Sequence, residues 1–117
     1  MILAIDTATS TGSVALVASD RIIINRYFEL GIHHTQHIFS EIETVCNLAS
    51  ISVKDLTGVA ISIGPGSFTG LRIGLAAVKG LCMVDNVPLL AISSLEIIAA
   101  QLPFVEIPVC SIIDARK

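Results

Sequence analysis

Four groupings of side chains in this 117-residue sequence are of types that could do chemistry. Asp6 ends the apolar run "ILAID", where a lone carboxylate can orient a hydrated cation or, more ordinarily, cap its own turn. His33 and His37, four apart, would share one face of a helix, as paired metal ligands must. No acidic residue stands between them in the HExxH manner and no third ligand is near, so with His34 they read as polar residues at a helix start. Gly64-Pro65-Gly66 precedes a helical stretch, the setting in which bare backbone amides can cradle phosphate. Nothing like GxxxxGK[ST] follows, so the lysine of a phosphate loop is missing. Ser67 lies in GPGSFTG rather than GxSxG, which signals no nucleophile elbow. Ser67 or Thr69 is better placed as a helix cap, its oxygen accepting from amides that the first turn leaves free.

The frame for these residues is written in the hydrophobic pattern. Ile2 to Asp6, Ser13 to Ser19 and Arg21 to Leu30 read as three strands joined by short turns, an antiparallel meander. Ile38, Ile42, Val45 and Ala49 recur at helical spacing, predicting a helix over 34–49. "LTGVAISIG" is a continuous run of the kind buried on both faces of a sheet. The glycine-rich helix follows, then "PLLAIS" as a strand, "SLEIIAAQL" as a short helix and "IPVCSIIDA" as a last strand. The order β-β-β-α-β-α-β-α-β predicts an α/β domain with a mixed sheet and helices packed on it.

Composition narrows the classes further. Hydrophobic residues make up 53% and charged ones 15%, with a mean hydropathy of +0.82. That is rich for a small domain, and it implies either a membrane segment or apolar surface covered by another chain. No uninterrupted apolar run of about 18 residues occurs, and Arg72 and Lys79 interrupt the most apolar helix, which favours the second. "MILAIDTATS" has no basic leader region, predicting no secretory signal. Three cysteines without CxxC spacing, Cys46, Cys82 and Cys110, read as buried small hydrophobes in a reducing compartment. A net charge of −3 with scattered lysine and arginine offers no basic stripe for nucleic acid.

The glycine-rich helix is the most informative element. Gly70, Gly74 and Gly80 each cost about 1 kcal/mol relative to alanine in a helix, which close backbone packing would have to offset. Two apolar stripes run along it: Gly70, Ile73, Ala77, Gly80 and Val84, and about 100° away Leu71, Leu75, Val78 and Cys82. A helix lying on a sheet needs one stripe. The second either packs on the neighbouring helix or faces a partner, rimmed by Arg72 and Lys79. In the partner reading the first helix joins it, giving an interface of His34, His37, Ile38, Glu41, Ile42, Val45, Leu71, Arg72, Leu75, Val78 and Lys79.

"ILAIDTATSTGSVAL", "GPGSFTGLRIGLAAVKGL" and "IIDARK", in this order and over essentially the whole chain, resemble the TsaB family of bacterial tRNA threonylcarbamoyladenosine biosynthesis proteins. The resemblance implies the fold of the actin and sugar-kinase superfamily, two duplicated RNase H-like domains. Residues 1–106 would then be the amino-terminal domain and 107–117 the first strand of a truncated second one, in keeping with the echo of "LAIDTA" in "SIIDAR". ATP-binding members of that superfamily use an Asp-x-Gly-Thr-like turn, but Ala8 stands at the glycine position here. That makes Asp6, Thr7 and Thr9 a vestigial nucleotide turn, and Gly64, Pro65, Gly66, Ser67, Thr69 and Gly70 a structural turn. The resemblance also places Ser94 and Ile98 where the catalytic paralogue has paired metal-binding histidines, so an old glycoprotease label lacks its metal.

What the family implies is a partner and not a catalyst: a cytoplasmic scaffold that dimerises with the paralogue TsaD, which transfers threonylcarbamoyl to adenosine beside the tRNA anticodon. A small ATPase, TsaE, joins the assembly, tRNA is reached only indirectly, and a homodimer forms when the chain is alone. ATP and metal are expected on the partner proteins, with no cofactor on this chain. The alternative is an actin-like ATPase or phosphotransferase, and simple self-association is a third class.

Overall fold

The computed structural model describes residues 1–30 and 34–114, with the side chains of His34 and Thr35 outside that description. Alternation of large apolar with small or polar residues builds the first three strands, β1 (Ile2–Asp6), β2 (Thr11–Ala18) and β3 (Arg21–Glu29). They form the antiparallel meander, with Leu3 beside Leu16 and Ile5 beside Val14. Helix α1 (His34–Leu48) then leads through a 3-10 turn at Val53–Asp55 to β4 (Gly58–Ser62), which pairs parallel to β1. Helix α2 (Phe68–Asp85) crosses back to β5 (Leu89–Ile92), parallel to β4, and α3 (Ser94–Ala99) follows. The five-stranded sheet has the order β3-β2-β1-β4-β5.

Because strands run on either side of β4, its apolar sequence is explained: Val59, Ala60, Ile61 and Ser62 are all buried. The core joins Leu3, Ile5, Val14, Leu16, Val59 and Ile61 of the sheet to Ile38, Ile42 and Val45 of α1 and Ala77, Val78 and Cys82 of α2. Helix α2 ends at Asn86, whose left-handed backbone (φ 52°) brings its N–H onto the Cys82 carbonyl. The opposite face of the sheet carries small side chains, with Ala4 flanked by Ala15 and Ala60.

Two expectations are corrected here. The predicted last strand, "IPVCSIIDA", does not form over its described residues: 103–114 hold no helix or strand. A strand is stabilised by ladder partners, and no described strand runs beside this segment; the Ser111 hydroxyl donates to the Leu95 carbonyl, at 2.9 Å, which is a side-chain tie and not a ladder bond. Cys46 and Cys82 are buried as a small hydrophobe should be, but Cys110 is exposed on that same segment. Among the described residues no helix is long and apolar enough to cross a membrane.

Candidate functional site

At the carboxyl ends of β1 and β4 two turns meet. Asp6 Oδ1 accepts from the Ala8 N–H at 2.8 Å and from the Ser62 hydroxyl at 2.5 Å, so the carboxylate caps its own turn and ties β1 to β4. The Thr9 hydroxyl is engaged locally too, donating to the Thr11 carbonyl at 2.7 Å. The glycine turn is seated against this one. The Ser67 N–H donates to the Ala8 carbonyl at 2.6 Å, and a Cβ added at Gly66 would stand 2.5 Å from that oxygen. A phosphate needs both free amides and room between the turns; the amides of Ala8 and Ser67 are spent and Ala8 fills the gap. Gly64 has φ +96°, a conformation that suits glycine, and Leu71 packs where its side chain would go. A pocket of about 230 Å³ opens beside the turns, and among the described residues Asp6 is its only charged lining residue. That charge favours no anion.

Ser67 caps α2, its Oγ accepting from the Gly70 N–H at 3.2 Å. From there the helix is pressed onto Thr7. A Cβ at Gly70 would lie 2.2 Å from the Thr7 carbonyl oxygen, and one at Gly74 2.2 Å from Thr7 Oγ1. Thr7 is fully buried beneath the helix, and its hydroxyl has no hydrogen-bond partner among the described residues. Gly70, Gly74, Ala77, Val78 and Cys82 therefore form the buried face of α2.

That orientation corrects the predicted interface. Val78 and Cys82 lie in the core, Leu75 is half-buried against it, and Leu71 is half-buried over the Gly64 turn. Ile38, Ile42 and Val45, at 0%, 3% and 0% exposure, face the sheet and not a partner. Glu41 is half-buried and held by Arg26 of β3 in a two-pronged pair, Nε to Oε2 and Nη2 to Oε1; that pairing raises the Arg26 pKa. Arg72, Lys79 and His37 are exposed, whereas His33 and the His34 side chain lie outside the described residues.

The open face is a different set. Phe68, Met83 and Val84 are 73%, 82% and 83% exposed, and Phe39 of α1 is 42% exposed. Between α1 and α2 lies a groove of about 580 Å³, walled by Phe39, Phe68, Thr69, Arg72 and Ile73 and floored by Ala76, Ala77 and Gly80. The Arg72 guanidinium sits 5.1 Å above the Phe68 ring, a cation–π contact that holds both side chains at the groove mouth. The signal that would have found this face is the Gly70–Gly74 pair: reading it as the sheet contact sends Arg72, Ala76, Gly80 and Met83 outward. Among the described residues no three metal-binding side chains gather.

Comparison with known proteins matches this geometry to a family. A family model described as TsaD, tRNA N6-adenosine threonylcarbamoyltransferase, matches residues 29–117. The tRNA threonylcarbamoyladenosine biosynthesis protein TsaB of Bacillus subtilis is 34% identical, over 99% of this chain and 51% of its own length. The structure of YeaZ from Pseudomonas aeruginosa, 33% identical, superposes with a TM-score of 0.77 over 86% of this chain and 46% of that one. RuvC of Thermus thermophilus, at 14% identity and a TM-score of 0.62 over 86% and 69% of the two chains, shares the fold alone. These neighbours fit the mixed sheet as an RNase H-like, actin-superfamily domain. The chain spans about half the length of the first relatives it matches.

Proposed function

Because the chain belongs to the TsaB family, we propose that it acts in tRNA threonylcarbamoyladenosine biosynthesis as a non-catalytic scaffold. In this reading it docks on a TsaD-type paralogue that performs the transfer beside the anticodon. The TsaE-type ATPase and tRNA join through that partner, and a homodimer forms in its absence. The observation that carries the proposal is the open α2 face, where Phe68 is mostly exposed, with Phe39 of α1 partly so, at a groove lined largely by apolar residues. Aromatic side chains around an apolar cavity, with Arg72 at its mouth, are the makings of a protein interface. The non-catalytic part is supported by the seated glycine turn and by Asp6, whose Oδ1 is engaged within the chain.

The test is light scattering after size exclusion, on the chain alone and mixed with TsaD from the same organism. A dimer that converts to a one-to-one complex is expected, with Phe68→Asp losing both species while staying folded. A monomer that ignores TsaD refutes the docking role. Isothermal titration with ATP and magnesium checks the other half: saturable binding in the micromolar range with turnover would make the chain an ATPase instead.

A further inference from the structure

The pocket of about 230 Å³ beside the two turns lies apart from the groove between α1 and α2, and among the described residues the two share no lining residue. Hydrogen bonds hold its walls. The Ser94 N–H donates to the Gly64 carbonyl at 2.9 Å, which ties α3 to the glycine turn. The Ser111 hydroxyl on the Leu95 carbonyl holds the segment that carries Ile113 against α3. Ala8, Pro65, Ile97, Ile98 and Ile113 make the lining mostly apolar.

The polar lining is short of donors. Asp6 spends Oδ1 on the Ala8 N–H and the Ser62 hydroxyl, and its second carboxylate oxygen takes no hydrogen bond among the described residues. Ser94 is 6% exposed, and its buried hydroxyl has no partner among the described residues. Gln101 adds a side-chain amide. Thr9 is spent, since its hydroxyl donates to the Thr11 carbonyl and accepts from the Thr11 N–H. No lysine, arginine or histidine lines the pocket among the described residues, so positive charge must come with the ligand. A carboxylate oxygen, a hydroxyl and an amide oxygen within apolar walls are complementary to a primary ammonium on an apolar stem, which brings three N–H donors and no acceptor. An amino acid suits the pocket less well, because its own carboxylate would meet Asp6 with no cation to receive it. The volume is below the roughly 300 Å³ at which pockets for drug-sized molecules begin, so the stem is short. We infer that this pocket binds a small primary amine without a carboxylate, its ammonium on Asp6 and its stem among Pro65, Ile97 and Ile98. The Ser94 hydroxyl meets the ammonium by turning about its Cα–Cβ bond into another staggered position. The inference does not depend on the docking role.

Isopentylamine is the probe, with isopentanol and isovalerate as controls of the same shape, one uncharged and one of opposite charge. Two-dimensional NMR of the isotope-labelled chain follows each titration. Isopentylamine should shift the amides of Ala8, Gly66 and Ser94 with a dissociation constant of about 1 mM, which so few non-hydrogen atoms can reach. Isopentanol should bind roughly ten-fold more weakly, and isovalerate should cause no shift. Asp6→Asn keeps an oxygen to cap the turn and should lose roughly ten-fold in amine affinity. Ser94→Ala should weaken the amine roughly three-fold while folding no less stably, since the hydroxyl it removes has no partner in the free chain. Equal binding of isopentanol, or an Asp6→Asn chain that binds the amine like the parent, overturns the ammonium contact. If Asp6→Asn does not fold, the three ligands on the parent chain still decide it. No shifts at millimolar amine, or shifts only outside the pocket, refute the site. Tighter binding of N-acetyl-lysine methylamide than of isopentylamine overturns the free amine as occupant in favour of a lysine side chain.

Discussion

The sharpest quantitative consequence concerns the contact between α2 and Thr7. Gly74→Ala places a methyl 2.2 Å from Thr7 Oγ1, 3.1 Å from its Cγ2 and 3.2 Å from its Cβ. Overpacking in a buried contact costs about 1–3 kcal/mol, and this approach belongs at the upper end. Alanine returns about 1 kcal/mol of helix preference, leaving a net loss of about 2 kcal/mol, or roughly 8 °C in melting temperature for a chain this size. Gly70→Ala meets the Thr7 carbonyl oxygen instead, also at 2.2 Å. The difference is testable by rescue. Thr7→Ala removes the atoms nearest the Gly74 methyl but leaves the backbone oxygen that faces Gly70. On its own that change should be nearly neutral, because the lost buried methyl, about 1 kcal/mol, is offset by removing a hydroxyl that has no partner. The double variant Thr7→Ala/Gly74→Ala should recover about half the loss, since the Cβ contact at 3.2 Å remains. Thr7→Ala/Gly70→Ala should recover none. Urea titrations of the set, followed by circular dichroism, decide it. Equal rescue at both positions, or a Gly74→Ala chain as stable as the parent, would refute the seating of α2 on Thr7.

Three further outcomes follow from single contacts. Ser67→Ala removes the α2 cap seen at Gly70 and should cost about 1 kcal/mol; Thr69→Ala, which removes no cap, should stay within about 0.5 kcal/mol. Glu41→Gln should loosen α1 from β3 in a salt-sensitive way yet leave self-association intact, because Glu41 faces Arg26 and not the groove; a selective loss of dimer would refute that placement. Burial raises the Cys46 and Cys82 thiols above their ordinary 9.0, so the folded chain keeps protons that the unfolded chain releases. This contribution is present below pH 9 and is lost as pH rises through the folded values. Urea midpoints should therefore fall between pH 8 and pH 10, less steeply in Cys46→Ala, and a thiol reagent should modify Cys110 at once but the other two only on unfolding.

How far the sequence alone could be read depended on whether a residue's partner was local. The meander and α1 were legible because alternation and 3.6-residue spacing are local signals, and Leu3, Val14 and Ile38 answer them with full burial. The Ser67 cap was legible for the same reason. The rotation of α2 was not. Its two stripes are both apolar, and the choice between them rests on Thr7, some 65 positions away in sequence, a contact that periodicity does not encode. The wrong rotation of α2 carries α1 with it, because an outward Leu71–Leu75 stripe calls for Ile38, Ile42 and Val45 beside it, whereas the sheet already covers them. Phe39 and Phe68 carry no sequence signal, because a single exposed aromatic on each helix breaks no pattern. The last strand failed differently, since a strand's sequence is only half of a ladder.

The closed turn and the open face have one cause. Phosphate-binding turns keep their backbone bare because glycine has no Cβ to obstruct the approach; here Ala8 occupies the space before Gly66, and Thr7 fills the space beneath Gly74. With Ala8 and Thr7 in place, α2 has no room for a ligand between itself and β1. It can only sink onto the sheet, and it does so on Gly70 and Gly74. Sinking on that pair fixes the helix rotation, which leaves Ala76 and Gly80 facing out between Phe39 and Phe68. A chain with glycine at position 8 would relieve only the turn, and α2 would keep its rotation. Ala8→Gly should therefore leave self-association unchanged and, on this geometry, give no measurable nucleotide binding, because Thr7 still lies beneath α2 and Asp6 still lines the pocket. Micromolar ATP binding by Ala8→Gly would refute the argument, by showing that a single methyl, and not the seating of the helix, closes the site.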